Sequence, residues 1–196
     1  MVIRQVVNTV FKSCSYVIVQ DGASWLVDCG DVDRILPMID GTLRGVLLTH
    51  GHFDHIYGLN MLTALFPSVP IYTCQAGLDE LLSDKLNFSR YYGEPFVLDV
   101  PENVRLIKNG DCVDLFDNVQ AEAVFTLGHS PSCITWLVDD SMFTGDSFIP
   151  GVKTVTNVPH ADKVLAAESE KLIRDLSQHR IVYAGHAPEN CKELDK

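Results

Sequence analysis

The stretch that most constrains this chain is Thr49-His50-Gly51-His52-Phe53-Asp54-His55, which follows the apolar run Val46-Leu47-Leu48. Val46 to Thr49 reads as a buried strand from its length and branched residues, and Leu59, Leu62, Leu65 and Phe66 recur at near-helical spacing before Pro67. The histidines therefore sit on a strand-to-helix turn. Three imidazoles and one carboxylate within six positions form an N/O ligand set suited to zinc, manganese or iron, and Gly51 lets the backbone bend so that neighbouring side chains converge. A helix beginning just after Asp54 would bring its positive dipole end to that carboxylate. The alternative is a polar loop that happens to contain histidines, and the later chain decides between the two.

Three further motifs follow at increasing distance: Gly128-His129-Ser130-Pro131, Thr144-Gly145-Asp146-Ser147 and Ala184-Gly185-His186-Ala187-Pro188. Each lies after or within a short apolar run that reads as a strand, so His129, Asp146 and His186 are strand-end residues. Five of the seven histidines fall in these motifs. Taken together, H-x-H-x-D-H, G-H-[ST]-P, T-G-D and G-H resemble the metallo-β-lactamase superfamily, from about Gly22 to Pro188. The phrase from Asn87 to Phe96, NFSRYYGEPF, is most similar to the small, single-domain glyoxalase II-like (hydroxyacylglutathione hydrolase-like) hydrolases.

The resemblance implies an αβ/βα four-layer sandwich, two mixed sheets packed face to face with helices outside and metals in a cleft at one edge. The hydropathy pattern alone supports only mixed α and β. Carried across, the family pattern puts His50, His52 and His129 on one metal, Asp54, His55 and His186 on a second, and Asp146 between them. The expected cofactors are two divalent ions, zinc in the first place, with iron or manganese as alternatives. Three neutral imidazoles would leave a tetrahedral zinc open for water, and a bridging carboxylate would suit ions roughly 3.5 to 4 Å apart. The implied reaction is attack of a metal-activated water on a thioester or related small acyl ester, with Asp54 also aiming the nucleophile. A thiolate leaving group, of free pKa near ~8.5, would need no general acid.

A chain of 196 residues with 46% hydrophobic residues is expected to form one domain, 1–196, with a substantial core. The formal charge of -11 and the absence of a lysine or arginine cluster disfavour nucleic acid as partner and leave a small-molecule substrate. No N-terminal targeting pattern is present and no apolar run approaches the ~20 residues needed to span a bilayer, so a soluble cytoplasmic protein is the default expectation. The six cysteines, at 14, 29, 74, 112, 133 and 191, are scattered without a C-x-x-C pair and read as reduced thiols, mostly in the core. Cys29 and Cys133 could approach the metals, but a buried inert thiol is the simpler role for each.

Along the chain, Val2 to Val7, Cys14 to Gln20 and Ser24 to Asp28 are expected strands, the last two joined by an Asp21-Gly22 turn. Asp31 to Ile39 reads as a short helix that Pro37 kinks or delays. Ile71 to Cys74 is a brief strand and Gly77 to Asp84 a helix with Leu78, Leu81 and Leu82 on one face. Strands follow at Val119 to Thr126, Cys133 to Val138 and Ser141 to Thr144, then a helix at Lys163 to Leu176 capped by Asp162, with Leu165, Leu172, Ile173 and Leu176 on one face. Arg180 to Ala184 is the final strand.

The segment from Asn87 to Pro101 has little periodicity and is either a substrate-facing loop or a surface connection whose tyrosines cover core. Tyr91 and Tyr92 are candidates for substrate contact on the first reading. Lys153 is a third candidate, for an anionic substrate group, with a solvated lysine as the alternative. His160 and His179 are not proposed as ligands. Two features depart from the glyoxalase II pattern: G-H-A-P stands where G-H-G-P is usual, and Pro150-Gly151-Val152-Lys153-Thr154 replaces a G-R-x-D phrase. A helical C-terminal domain that helps hold glutathione in full-length glyoxalase II enzymes is not part of the resemblance, so glutathione itself is not implied. A lactonase, a phosphodiesterase or nuclease, a mono-iron persulfide dioxygenase and a non-catalytic metal-binding module are the competing expectations.

Overall fold

The computed structural model describes residues 1–187. Pro188 of the last motif and Cys191 lie outside the described residues. Two mixed sheets form the centre. The first has the order β1 (Val2–Val7), β2 (Cys14–Gln20), β3 (Ala23–Val27), β4 (Thr42–Leu47), β5 (Ile71–Thr73), β6 (Val104–Leu106). Its β1–β3 pairs are antiparallel, and β3 to β6 run parallel. The second sheet has the order β11 (Ile181–Ala184), β10 (Ser141–Gly145), β9 (Ile134–Val138), β8 (Val119–Phe125), β7 (Cys112–Phe116). Only β10 and β11 are parallel there.

The central strands β2, β3, β9 and β10 are buried on both faces, whereas β7 and β8 alternate buried with exposed residues. Tyr16, Ile18, Trp25, Val27 and Leu47 of the first sheet meet Val113, Leu115, Ile134, Trp136 and Phe143 of the second in one buried layer. The outer face of the first sheet, with Val17, Leu26 and Val46, packs on Ile35, Ile56, Leu59 and Leu62. Those residues belong to α1 (Val32–Ile35), α2 (Phe53–Ile56) and α3 (Leu59–Leu65). Leu137, Met142 and Phe148 cover Ile173 of α5 (Lys163–Leu176) on the opposite side. The layering is therefore helix, sheet, sheet, helix, as the family resemblance implied.

Two tryptophans tie the sheets together in opposite directions. The Trp25 indole N–H on the first sheet donates to the Leu115 carbonyl (2.8 Å), and that of Trp136 on the second donates to the Leu48 carbonyl (2.9 Å). Both rings are buried, and each N–H thereby satisfies a carbonyl that the opposite strand cannot pair. Leu48 directly precedes the histidine-rich turn, so the second of these bonds also fixes where that turn begins.

Several expectations shift in detail. Pro37 does not kink one helix; α1 stops at Ile35 and a separate 3₁₀ turn, Leu36–Met38, takes the proline into its first positions. α4 spans Gln75–Leu81 and buries Gly77, Glu80 and Leu81, while Leu82 is exposed. α5 starts as expected, with Asp162 accepting from the Val164 and Leu165 amides, but its buried stripe is Ala166, Ser169 and Ile173 rather than one carrying Leu165 and Leu172. Small residues face the sheet there because Gly128 presses against the Ala166 backbone.

Replacing Trp136 with Phe should destabilise the protein by roughly 2–3 kcal/mol, from a lost ring and an orphaned Leu48 carbonyl. Urea unfolding measures this, and an unchanged midpoint would remove the inter-sheet bond from the account.

Candidate metal centre

All seven expected ligand residues meet at one edge of the paired sheets. His50 and His52 come from the turn after β4, Asp54 and His55 from α2, His129 from the loop after β8, Asp146 from the end of β10, and His186 from the loop after β11. Three sets of side chains each bring one donor atom within 4.8 Å of one another: His50, His52 and His129; Asp54, His55 and His186; and His50, His55 and Asp146. The first two sets coincide with the partition that the resemblance implied, and the third puts Asp146 between them.

The ring nitrogens divide cleanly into inward and outward atoms. His55 Nδ1 donates to Asp28 (2.9 Å), His129 Nδ1 to the Val155 carbonyl (2.9 Å) and His186 Nδ1 to the Phe11 carbonyl (2.9 Å). His50 Nδ1 lies 3.1 Å from the Thr49 hydroxyl, which itself donates to Asp28 (2.7 Å). Each outward nitrogen thus carries a proton, which leaves Nε2 as the atom that faces the centre. His52 presents Nδ1 instead, 2.9 Å from His129 Nε2. His50 Nε2 and Asp146 Oδ1 are buried without any hydrogen-bond partner among the described residues. Orphaned lone pairs converging on one point are costly unless a cation satisfies them, so the donor set fits divalent metal ions.

The two halves of the cluster differ in charge. Burial holds His50 well below the usual imidazole pKa and His52 down at about 3, so both are neutral and ready to ligate near pH 7. Burial also disfavours charge on His55 and His186, but Asp54 and Asp146 outweigh it and raise His55 well above its usual value and His186 to about 10. Desolvation pushes the two carboxylates up, and the same imidazolium neighbours more than reverse it, leaving both below the usual aspartate value. His186 Nε2 lies 3.2 Å from Asp146 and 3.3 Å from Asp54. In the metal-free state the two carboxylates thus favour protonation of His55 and His186 in the half-site where a cation would sit.

Two carboxylates that the sequence reading did not single out hold the cluster. Asp28, which ends β3 with φ of 55°, accepts from the Thr49 amide (2.8 Å), the Thr49 hydroxyl and His55, and so aims two of the five rings. Glu80 on α4 is buried, and burial raises its pKa despite three donors. It accepts from the Gly51 amide (3.0 Å) and the Ser130 hydroxyl (2.6 Å), and a short bond comes from Ser132. That carboxylate bolts the His50–His52 turn to the loop carrying His129. A side chain at position 51 would collide with it, which is why glycine stands there. The one available signal was a charged residue beside an otherwise apolar strand or helix face.

The remaining candidates lie around the rim. Tyr92 is exposed, makes an edge contact with Phe11 (centroids 5.0 Å) and stacks on Phe53 (6.4 Å), whereas Tyr91 projects further out. Lys153 is exposed and does not line the large cavity of about 1180 Å³ that opens over Asp146 and His186, although Gly151, Val152 and Val155 do. A smaller cavity of about 290 Å³ reaches His52 and is lined by Glu80, Phe88 and His160. The thiols of Cys29 and Cys133 are buried, burial raises both pKa values, and neither belongs to a donor set.

A four-layer αβ/βα sandwich with a histidine-rich metal site at one sheet edge defines a class of metallo-hydrolases. The chain belongs to the metallo-beta-lactamase superfamily, whose family model matches residues 8–186. It is 32% identical over 152 residues to the "Probable metallo-hydrolase YqgX" of Bacillus subtilis (strain 168), covering 76% of this chain and 70% of that one. The hydroxyacylglutathione hydrolase of Xylella fastidiosa (strain 9a5c) is 27% identical over 135 residues, 66% of this chain and 43% of its own length. Among solved structures, the BLEG-1 B3 metallo-beta-lactamase superposes with a TM-score of 0.85 at 25% identity, covering 95% of this chain and 92% of the other. Among the described residues no helix is long and apolar enough to cross a membrane.

Two outcomes follow from these bonds and charges. Asp28→Asn leaves one acceptor oxygen for the Thr49 amide, the Thr49 hydroxyl and His55 Nδ1, so at least one of these bonds is lost and the aim of His50 or His55 loosens; metal affinity should fall about 10- to 100-fold, read by competition with a chromophoric chelator. Metal binding to the metal-free protein near pH 7 should release about two protons, those on His55 and His186, because only the neutral ring can ligate. Affinity should therefore weaken as pH falls. Calorimetry in buffers of different ionisation enthalpy detects this, and identical heats in all buffers would refute the charge assignment.

Proposed function

We propose that this chain is a metal-dependent hydrolase acting on a thioester or a related small acyl ester, with a glyoxalase II-like chemistry. The observation that carries the reading is the convergence of five imidazoles and two aspartates at one sheet edge, of which His186 and Asp146 open onto a cleft large enough for a small organic molecule. His50, His52 and His129 would hold one ion, Asp54, His55 and His186 the other, and Asp146 would lie between them. Zinc fits this nitrogen-rich set, and iron or manganese would also be accepted by it. Bound there, two divalent ions supply Lewis acidity and a water that ionises near neutral pH.

The chain's own residues supply position and charge. Asp28, Val155 and Phe11 fix the tautomers and planes of the liganding rings, so the donor atoms need little reorganisation. Asp54 is only 13% exposed, lies beside His186, and could accept a hydrogen bond from the attacking water. The apolar cleft wall excludes solvent from the acyl group while it reacts. The acidic surface, net -11, argues against a polyanionic nucleic-acid substrate and for a small molecule. The partial match to hydroxyacylglutathione hydrolases supports the thioester preference without extending it to glutathione.

Metal analysis of the purified protein followed by assay against a thioester, a lactone and a phosphodiester chromogen tests the reading. Thioester turnover should dominate. Asp54→Ala and Asp146→Ala should each lower kcat at least about a thousandfold while the protein stays folded by circular dichroism. Retained turnover in either variant, or a preference for the phosphodiester, would overturn the assignment.

A further inference from the structure

The large cleft is chemically lopsided. Its walls are apolar, contributed by Phe11, Ile149, Pro150, Val152, Val155 and Tyr183, and it opens directly onto His186 and Asp146. Apart from the metal-centre residue His186, Lys12 is the one basic side chain of the described residues on the lining, and no ion pair joins it to a carboxylate of the described residues. The only carboxylate of the described residues on that lining, Asp146, belongs to the metal centre. In a protein of net charge -11, an unneutralised ammonium beside an apolar cleft is the feature a small anion would find.

The backbone that carries Lys12 is built for position rather than comfort. Phe11 and Lys12 both adopt left-handed conformations, φ of 50° and 54°, which bulky residues avoid unless their surroundings impose them. What imposes them is the loop of His186. The Phe11 carbonyl accepts from His186 Nδ1, the Lys12 carbonyl from the Ala187 amide (3.1 Å), and the Cys14 amide donates to the Gly185 carbonyl (2.7 Å). The bonds that hold the His186 ring and its loop therefore also set the base of Lys12 at a fixed distance from the candidate metal centre. Loop strain with such a consequence is a mark of function.

Building on the hydrolase reading, we propose that Lys12 is a specificity-determining residue, and that the substrate is an acyl compound with an apolar body and an anionic end, a carboxylate, that pairs with its ammonium. The reacting carbonyl then lies at the metals, the body along the Val152 and Tyr183 walls, and the carboxylate at the β1–β2 turn. Burial of the body against apolar walls lowers the local dielectric around the ion pair and makes that pair selective.

The test compares charge preference, not activity alone. S-adipoyl and S-hexanoyl N-acetylcysteamine differ only in the terminal carboxylate, and wild-type protein loaded with zinc should favour the first in kcat/KM. Lys12→Gln should lower that preference ratio about tenfold, mainly through KM, the loss expected for one charge-assisted bond. Lys12→Arg should restore most of it, and Lys153→Gln should not change it. A ratio untouched by Lys12→Gln, or one that collapses in Lys153→Gln instead, overturns the proposal. Binding of 6-mercaptohexanoate against 6-mercaptohexanamide to the zinc-loaded protein, by calorimetry, separates the two layers of inference. If neither thioester is turned over but the carboxylate thiol loses about tenfold affinity in Lys12→Gln while the amide does not, the hydrolase reading fails and the anion site stands. Equal losses for both thiols sink the anion site whatever the turnover.

Discussion

The interaction on which the rest of this structure depends is the acceptance of three hydrogen bonds by one buried carboxylate, Asp28. Through the Thr49 hydroxyl it orients His50, and directly it orients His55, one ring from each half of the cluster. Five imidazoles and two further carboxylates crowded at a sheet edge would otherwise relax by rotating toward each other and pairing off. Each ring is prevented from doing so by an acceptor on its far nitrogen or by its neighbours. Those acceptors come from β3, the β1–β2 turn and the loop after β10, so the donor geometry is a property of the whole sandwich.

That dependence explains the arrangement of the sheets. Parallel strands β3, β4 and β5 all end on the same side, which delivers Asp28 and the Thr49–His55 turn to one edge. The second sheet delivers Asp146 and His186 to the same edge because β10 and β11 are also parallel. Gly185 lies so close to the Asp146 carboxylate that any side chain there would displace it, so the two loops can meet only through glycine. The reciprocal tryptophan bonds then lock the two sheets in register, and ligands from both arrive at a common point without either sheet bending.

Much of this was legible in the sequence, and the division has a physical cause. Metal ligands are rare residue types repeated in tight motifs, so His50, His52, Asp54, His55, His129, Asp146 and His186 could be read as a set, and the structure gathers them. Most strands of alternating or continuous branched residues were readable to within a residue or two, but β4 begins four residues before the expected Val46, and β7 and the largely exposed β6 were not named as strands. The stripe on α5 was not, because its packing partner is the backbone at Gly128, which favours Ala166 and Ser169 over the leucines a periodicity argument prefers. Asp28 and Glu80 were missed for a related reason. Each is an ordinary polar residue whose role exists only through partners 21 to 52 positions away, such as Thr49 and Ser132.

The asymmetry of the centre has a consequence for how it fills. Neutral His50 and His52 accept a cation without losing a proton, and the turn that carries them is pinned by Glu80 whether or not metal is present. The other half must exchange protons on His55 and His186 for a cation, and a proton there neutralises Asp54 and Asp146 almost as well. A dication held by the first half would lower the proton affinity of His55, but it would repel a second dication at least as strongly, so charge alone gives the second half no advantage. The two halves would therefore differ in proton release, the first taking up an ion without it and the second only with it.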